Sequence, residues 1–403
     1  MTGRRAPLVV LAAAALIATL TPAAAYAEPA VRSQPGTMAG AAAPAPVAGA
    51  SGQGCAAIRA QAARSPGTGT TACIEFGRAG AAKPAAAVAN ECGANRWQVR
   101  RKFGCATLTG NYYLVDRATG TSVGWIGFSV TSSILISDGR WTHDFAITAT
   151  SATGFIGEPG MAAAPECTHN CRLVSWIYNG GGVRFLPGVT VRGSATVDAN
   201  HGGLGTVWRA GSRWTWVATN PVANPSRSNQ LDDAPPTHRC DDALNGYRWG
   251  CVYDTYQPVH EIGSLRYPTY ARHIGLAHSH GMPRVLTRTT NEALRDANRR
   301  IACPSSYPRP AGMSCDEYPY ASTYEGAANQ PYGRTFRILG GINGGGNGFL
   351  CYVPLQVRQP GESAGYSACM INEGDNSGGG SDLGIFYLDD RVIEGDRFEV
   401  RVV

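Results

Sequence analysis

Hydrophobic and polar residues alternate in short runs through the middle of the chain, from about residue 93 to 217. The clearest runs are residues 111–115, 121–130, 145–148 and 207–217, in a segment rich in Thr, Val, Trp and Gly. Alternation with a period of two is typical of strands that bury one face. The pattern predicts an all-β, sandwich-like domain, which we place at residues 55–240.

Beyond this region the pattern changes. Residues 218–240 are dense in Asn, Pro, Ser and Asp and are predicted to be a loop or linker. Residues 255–403 then alternate α and β segments, which predicts a second, α+β domain. One helix is well marked, because Thr289 and Glu292 have capping-box spacing and Pro304 ends the run. Its predicted apolar face is Leu294, Ala297 and Ile301, and its predicted outer pair is Asp296 with Arg300.

The start of the chain predicts export. Arg4 and Arg5 precede an apolar run over residues 6–20, and Ala25-Tyr26-Ala27 has the small residues of a cleavage site, so residues 1–27 are predicted to be a signal peptide. An uncleaved anchor is the alternative. Residues 28–54 are Ala- and Pro-rich and almost lack large apolar side chains, which predicts a disordered linker. We therefore expect a secreted, extracellular protein with no stable membrane association after cleavage.

The twelve cysteines all follow the predicted signal peptide. An even number in an exported chain is typical of a disulfide-bonded protein, although sequence alone does not fix the pairing. None has the paired spacing of a zinc site. Proximity suggests four bridges: Cys92–Cys105, Cys167–Cys171, Cys240–Cys251 and Cys303–Cys315.

The formal net charge of +6 does not locate a nucleic-acid site. Residues 261–403 contain fourteen Arg, no Lys and fifteen acidic residues, so this region is close to neutral. Any binding of phosphate must then depend on the placement of a few arginines and weaken as salt rises. On the predicted helix, Arg295, Arg299 and Arg300 are either a solvated face or phosphate contacts.

Candidate chemistry is concentrated at Asp316 and Glu317, which lie between Cys315 and Tyr318-Pro319. Neighbouring side chains of an extended segment point in opposite directions, so the two carboxylates are expected to do different jobs. One would face a metal or an attacking water, and the other would hold the loop or an Arg. On spacing alone, a solvated turn is the simpler interpretation.

Residues 314–326 resemble the signature of the NucA/NucB deoxyribonuclease family, which are secreted enzymes. The family pattern is Asp-Glu, an aromatic residue and Pro, then a small-residue stretch ending in Glu-Gly, here Glu325-Gly326. The resemblance extends over about residues 260–403. It includes His273-Ile274 with Ala277 and residues 286–299. It also includes Asp375-Asn376 followed by residues 378–381, similar to a glycine-rich turn, and residues 391–400, similar to a terminal hairpin.

This sequence departs from the family pattern in three places, one of which is a pair of loop cysteines that suggests a disulfide-bonded variant. Tyr318 replaces the Trp of some members, which should affect packing more than chemistry, and an inserted loop at residues 340–347 would alter substrate access. The first two thirds of the chain lie outside the resemblance.

The resemblance implies a metal-dependent endonuclease that cuts DNA, with a strand-strand-helix core similar to the His-Me finger (ββα-metal) nucleases. Asp316 would be the general base, and Glu317 would orient the loop or an Arg. Asn376 would ligate a divalent ion, Mg²⁺ or Mn²⁺.

Several further residues have open roles. Glu325 and Asp375 are weaker candidates for metal ligands, and each is alternatively a cap. His273 would polarise the phosphate or donate to a catalytic carboxylate, or be structural. His278 and His280 are expected in a loop. Their i,i+2 spacing makes metal ligation an alternative role.

Three functions remain open on this basis. The first is a monomeric secreted DNase that scavenges extracellular DNA. The second is a wall- or polysaccharide-binding protein whose β domain carries the function through exposed aromatic residues, while the nuclease-like domain is inactive. The candidate aromatic residues are Trp176, Tyr178, Trp208, Trp214 and Trp216, which are alternatively core residues. The third is an exported toxin, for which neither a delivery module nor an immunity partner is visible.

Overall fold

The structure is a computed structural model that describes residues 54–64, 66–77, 92–330, 333, 350–351 and 365–403. The predicted signal peptide, nearly all of the predicted linker and the predicted inserted loop at 340–347 lie outside these residues. Across the described ranges, no helix has the length and apolar character needed to span a membrane.

The N-terminal part, residues 54–254, consists almost entirely of strands, so its predicted β-rich character is confirmed. It contains one helix that the sequence did not predict, α1 (Cys55–Arg64). The strands are β1 (Thr70–Phe76), β2 (Gly93–Ala94), β3 (Trp97–Val99), β4 (Phe103–Asp116), β5 (Ser122–Ser137), β6 (Arg140–Gly154), β7 (Gly160–His169), β8 (Cys171–Tyr178), β9 (Thr190–Ala199), β10 (Val207–Thr219), β11 (Arg227–Asp232), β12 (His238–Asp241) and β13 (Gly250–Val252).

These strands form two sheets that share one core. The larger sheet has the order β1-β4-β5-β6-β9-β8, with β2 and β3 also paired to β4. The smaller has the order β11-β10-β12-β13, with β7 also paired to β10. Trp141 and Phe145 of the larger sheet lie in the same buried cluster as Trp214 and Trp216 of the smaller. Those two tryptophans are therefore core residues, whereas Trp176 on edge strand β8 is 46% exposed.

The C-terminal part, residues 255–403, mixes helices and strands. Its elements are β14 (Val259–Ile262), α2 (Pro268–Ser279), β15 (Val285–Thr287), α3 (Glu292–Ala302), β16 (Met313–Tyr318), a 3-10 turn (Ala327–Asn329), β17 (Leu350–Cys351), β18 (Ser367–Asn372), α4 (Glu373–Asp389) and β19 (Arg397–Val402). One small sheet has the order β14-β19-β15 and the other β16-β18-β17. Helices α2 and α4 pack against the second of these.

Helix α3 confirms the predicted helix but differs in detail. Its N-cap is Asn291, whose side chain accepts a hydrogen bond from Leu294 N, so the capping box at Thr289 is wrong. The predicted apolar face is also wrong, because Asn298 and Ala302 are buried while Ile301 is 45% exposed. Asp296 pairs with Arg299 instead of Arg300.

Two expectations for the end of the chain are wrong. The glycine-rich residues 378–380 lie inside helix α4 and do not form a turn. Glycine suits this position because a Cβ on Gly379 would lie 2.6 Å from the Tyr270 ring of α2, so the two helices can approach closely. The last strand, β19, does not form a hairpin with the segment before it. It pairs with β14 in parallel and with β15 antiparallel.

All four disulfides suggested by proximity are present, and Cys55–Cys73 joins α1 to β1 as a fifth. Cys369 is also disulfide-bonded, and the strand register places Cys351 opposite it. Disulfides therefore cross-link both the N-terminal and the C-terminal part, which is typical of a protein from an oxidising compartment.

Candidate active site

Asp316 and Glu317 lie on β16 and point to opposite faces of the sheet. Asp316 shares its face with Tyr318 and contacts helix α2 through His273. Glu317 lies on the other face, where its Oε2 is 3.6 Å from the Cys303 sulfur at the end of α3. The expected separation of the two carboxylates is therefore present in the strand.

Asp316 and His273 form a close pair in a nearly closed environment. Asp316 Oδ2 lies 2.5 Å from His273 Nδ1. The imidazole is 0% exposed and Asp316 is 5% exposed. On the far side of the ring, His273 Nε2 lies 2.8 Å from the hydroxyl of Ser367 on β18. Three elements, β16, α2 and β18, thus hold one Asp-His-Ser chain of contacts.

Glu317 has a perturbed protonation equilibrium. Burial, reinforced by the negative charge of Asp316, raises the pKa of Glu317 from 4.5 to about 7. The positive charge of Arg299 on α3 acts in the opposite direction without cancelling the effect. Near neutral pH this side chain therefore exists in both forms, unlike an ordinary surface glutamate.

Tyr318 and His278 brace the strand against the end of α2. The Tyr318 hydroxyl donates to Pro283 O at 2.6 Å and accepts from His278 Nε2 at 2.8 Å. Burial lowers the pKa of His278 to about 4, so this imidazole is neutral. The expectation of a loop at His278 and His280 is wrong. His278 lies in α2, and His280 is the C-cap residue of this helix. His280 Nδ1 donates to Leu276 O, so each histidine has its own partner.

Asp375 and Asn376 occupy the first turn of α4 and hold the neighbouring elements. Asp375 Oδ2 accepts from Thr269 N at 2.8 Å and from Thr269 Oγ1 at 2.6 Å, which caps the start of α2. Asn376 Nδ2 donates to Ser314 Oγ at 2.8 Å and to Cys315 O at 3.0 Å, directly before Asp316. The amide group is thereby oriented beside the β16 strand.

Glu325 lies elsewhere, with its Oε2 accepting from Thr287 N of β15 at 2.8 Å. Its contact joins β15 to the loop that follows β16. Across the described ranges, no three His, Cys, Asp or Glu side chains are grouped as metal ligands. The three residues predicted to bind metal, Glu325, Asp375 and Asn376, thus do not form one cluster of that kind.

Two important residues were missed by the sequence analysis. Ser367 completes the contacts of His273, and Asn298 fixes the loop after Tyr318. Asn298 is 0% exposed, donates to Ala321 O and Thr323 O, and accepts from Ala328 N. No sequence motif pointed to Ser367. For Asn298, the only indication was a polar residue next to the predicted apolar face of α3.

A buried carboxylate held by an imidazole is an arrangement that can take part in acid–base chemistry. Residues 274–347 match the family of Deoxyribonuclease NucA/NucB. The suspected resemblance is confirmed, over a shorter stretch than the predicted 260–403. At the family level the match indicates a nuclease that acts on DNA.

The matched stretch includes Asp316, Glu317 and Glu325, but not His273, Asp375 or Asn376. Residues 331–332 and 334–347 of it lie outside the described part of the structure. No curated protein shows significant similarity to the chain. The alternative of a binding protein that works through its β domain finds no support, and two of its five candidate aromatic residues are core residues.

Proposed function

We propose that this protein is a secreted, metal-dependent endonuclease that hydrolyses phosphodiester bonds of extracellular DNA, with Asp316 as the general base. The observation that carries the proposal is the contact of Asp316 with His273, inside or beside the segment that matches a deoxyribonuclease family. A buried carboxylate with a fixed orientation is suited to removing a proton from a water that attacks phosphorus.

The contact with His273 gives the two carboxylate oxygens of Asp316 different proposed roles. Oδ2 accepts the imidazole N–H, so His273 holds this oxygen. Oδ1 is therefore the atom we assign to accept the proton of the attacking water. Glu317, on the opposite face, would hold α3 and Arg299 in place and is not assigned a proton-transfer step.

A hard divalent cation, Mg²⁺ or Mn²⁺, fits this site only as a sparsely ligated ion. Mg²⁺ commonly takes one or two protein oxygens, with water and substrate phosphate supplying the rest. Asn376 suits this because its amide nitrogen donates to Ser314 and Cys315, which leaves its amide oxygen as the candidate ligand. Asp375 has one carboxylate oxygen beyond the one used by Thr269, whereas Glu325 fits poorly because it binds the β15 backbone. When bound, such an ion supplies charge neutralisation at the phosphate and a more acidic water.

The order of elements also supports the proposed relation to ββα-metal nucleases. Strand β16 pairs antiparallel with β18, and α4 follows β18 directly. Asp316 would stand in the first strand where those enzymes have a histidine, and Asn376 in the helix. Secretion is supported by the disulfides, which persist in oxidising compartments. Scavenging of DNA remains preferred over a toxin role.

The test is cleavage of supercoiled plasmid by the purified, oxidised full chain in EDTA, Mg²⁺ or Mn²⁺. Asp316→Asn keeps the shape of the side chain but removes the base, so cleavage should fall about a hundredfold or more while circular dichroism stays unchanged. Asp296→Asn, at an exposed carboxylate on α3, is the matched control and should cut normally. Equal cleavage by Asp316→Asn and wild type would reject the assignment of the base, and no cleavage in either metal would reject the nuclease.

A further inference from the structure

The His273 imidazole is enclosed on all sides and uses both of its nitrogens. Nδ1 faces Asp316 and Nε2 faces Ser367, and neither His273 nor Ser367 has any exposed surface. Both residues lie outside the segment that matches the nuclease family. Ser367 therefore has no role assigned by the family match.

We propose that Ser367 is a positioning residue that acts on Asp316 through His273. This inference rests on the proposed function, because it concerns the general base of that reaction. Ser367 would hold the imidazole in the one tautomer and ring orientation that present an N–H to Asp316. It would not touch the substrate.

The donor and acceptor pattern fixes the direction of both hydrogen bonds. A carboxylate only accepts, so His273 carries a proton on Nδ1 and donates it to Asp316 Oδ2. In the tautomer whose only ring proton is on Nδ1, Nε2 has a lone pair, to which the Ser367 hydroxyl donates at 2.8 Å. The other acceptor near this hydroxyl is Tyr318 O at 3.5 Å, which is too long to compete.

The position of Ser367 is set by the sheet and does not depend on a flexible loop. Ser367 opens β18 and pairs in register with Tyr318 of β16, two residues after Asp316. Helix α2 brings His273 onto the same sheet. Base, imidazole and hydroxyl are thus fixed by three packed elements, which is what a site needs for a precise orientation.

The N-terminal part contains a similar arrangement that provides a control. His143 Nε2 lies 2.7 Å from Asp233 Oδ2, and His143 Nδ1 lies 2.9 Å from Ser212 Oγ. There, however, Asp233 also accepts from Ser132 Oγ and Trp214 N, and the whole group is sealed in the β core. Both of its carboxylate oxygens are used within the core, so we expect this group to serve structure.

The experiment compares Ser367→Ala, Ser367→Thr and Ser212→Ala in the oxidised full chain, with kcat and KM measured on DNA. Ser367→Ala should lower kcat about tenfold to a hundredfold without changing KM, since only the orientation of the base is lost. Ser367→Thr keeps the hydroxyl and should restore most of the rate. Ser212→Ala removes an equally buried hydroxyl and should leave kcat unchanged.

Nitrogen NMR of labelled histidine gives a readout that does not depend on activity. Wild type should show His273 with its proton on Nδ1, and Ser367→Ala should show a mixture of tautomers. Wild-type kcat in Ser367→Ala, or a change confined to KM, would overturn the inference and leave the proposed function intact. If wild type cuts no DNA, the proposed function fails, and the NMR alone decides: a single unchanged tautomer in Ser367→Ala overturns the inference, and a mixture supports the positioning.

Discussion

Arg391 and Asp241 form a buried, two-point ion pair between the C-terminal and N-terminal parts. Arg391 Nη2 lies 2.5 Å from Asp241 Oδ1, and Arg391 Nε lies 3.2 Å from Oδ2. The side chains are 3% and 0% exposed. Arg391 follows α4, whereas Asp241 ends β12, so the pair ties the end of the chain to the smaller sheet.

The same turn, residues 390–396, makes a second set of charged contacts. Asp396 lies 3.0 Å from Arg101 and 2.6 Å from Arg239, both of which belong to the N-terminal part. The turn also reaches the site, because Arg288 N donates to Asp396 O and Tyr324 donates to Glu394. The N-terminal part thus supports the loop that follows the Asp316 strand.

Breaking the Arg391–Asp241 ion pair should destabilise the protein strongly. Asp241→Asn leaves the Arg391 charge buried without its partner, and we expect the free energy of unfolding to fall by about 3–5 kcal/mol. Glu158→Gln removes one partner of the exposed pair Arg184–Glu158 and should have a much smaller effect. Guanidinium titration of both variants measures the difference. Equal, small losses would show that the buried pair contributes little.

The Cys303–Cys315 disulfide should support activity as well as stability. It joins the C-cap of α3 to β16 one residue before Asp316. Replacing both cysteines with Ser should lower the unfolding free energy by about 2–4 kcal/mol and reduce DNA cleavage, because α3 is no longer fixed to the strand. Replacing Cys167 and Cys171, which close a short loop in the N-terminal part, is the control and should leave cleavage intact. If both double variants cut equally, the disulfide next to Asp316 has no special role in the site.

Local patterns predicted part of the elements, but the loop predicted at residues 218–240 is wrong, because β11 and the start of β12 lie there. Contacts between residues distant in the sequence were beyond the reach of these patterns. All but the first residue of the run at 121–130 lie in β5, and Pro304 gave the end of α3 to within two residues. Asp316 and His273 were both selected, but they are 43 residues apart, and nothing in the sequence showed that they touch. Gly378 and Gly379 were expected in a turn because the reason for these glycines lies more than 100 residues earlier in the chain: the Tyr267 ring at the N-cap of α2 and the Tyr270 ring within α2.

Asn298 should be intolerant of a nearly isosteric change. Asn298→Asp replaces the amide donor with an oxygen that faces Ala321 O and Thr323 O, so two hydrogen bonds become repulsive contacts. We expect a loss of about 3 kcal/mol or more in unfolding free energy, and slower DNA cleavage because the loop after Tyr318 is released. Thermal and chemical denaturation measure the first effect, and a plasmid assay the second. Asn329→Asp, at an exposed residue of the 3-10 turn whose amide donates a single hydrogen bond to Tyr324 O, should have a much smaller effect on both. A similar loss in both variants would contradict the argument.

Glu317 should give the protein a pH-dependent stability of unusual sign. The folded protein holds this carboxyl with a pKa of about 7, against 4.5 for the unfolded chain, because burial and Asp316 disfavour its charge. The folded state then binds more protons between these values, so the unfolding free energy falls as pH rises from about 4.5 to 7 and levels off above. Glu317→Gln removes this contribution, and between pH 5 and pH 8 wild type should lose on the order of 2 kcal/mol relative to the variant. Glu292→Gln, at an exposed carboxyl in the first turn of α3, should follow wild type. Parallel stability curves for wild type and Glu317→Gln, measured by urea titration at each pH, would show that Glu317 keeps an ordinary charge in the folded protein.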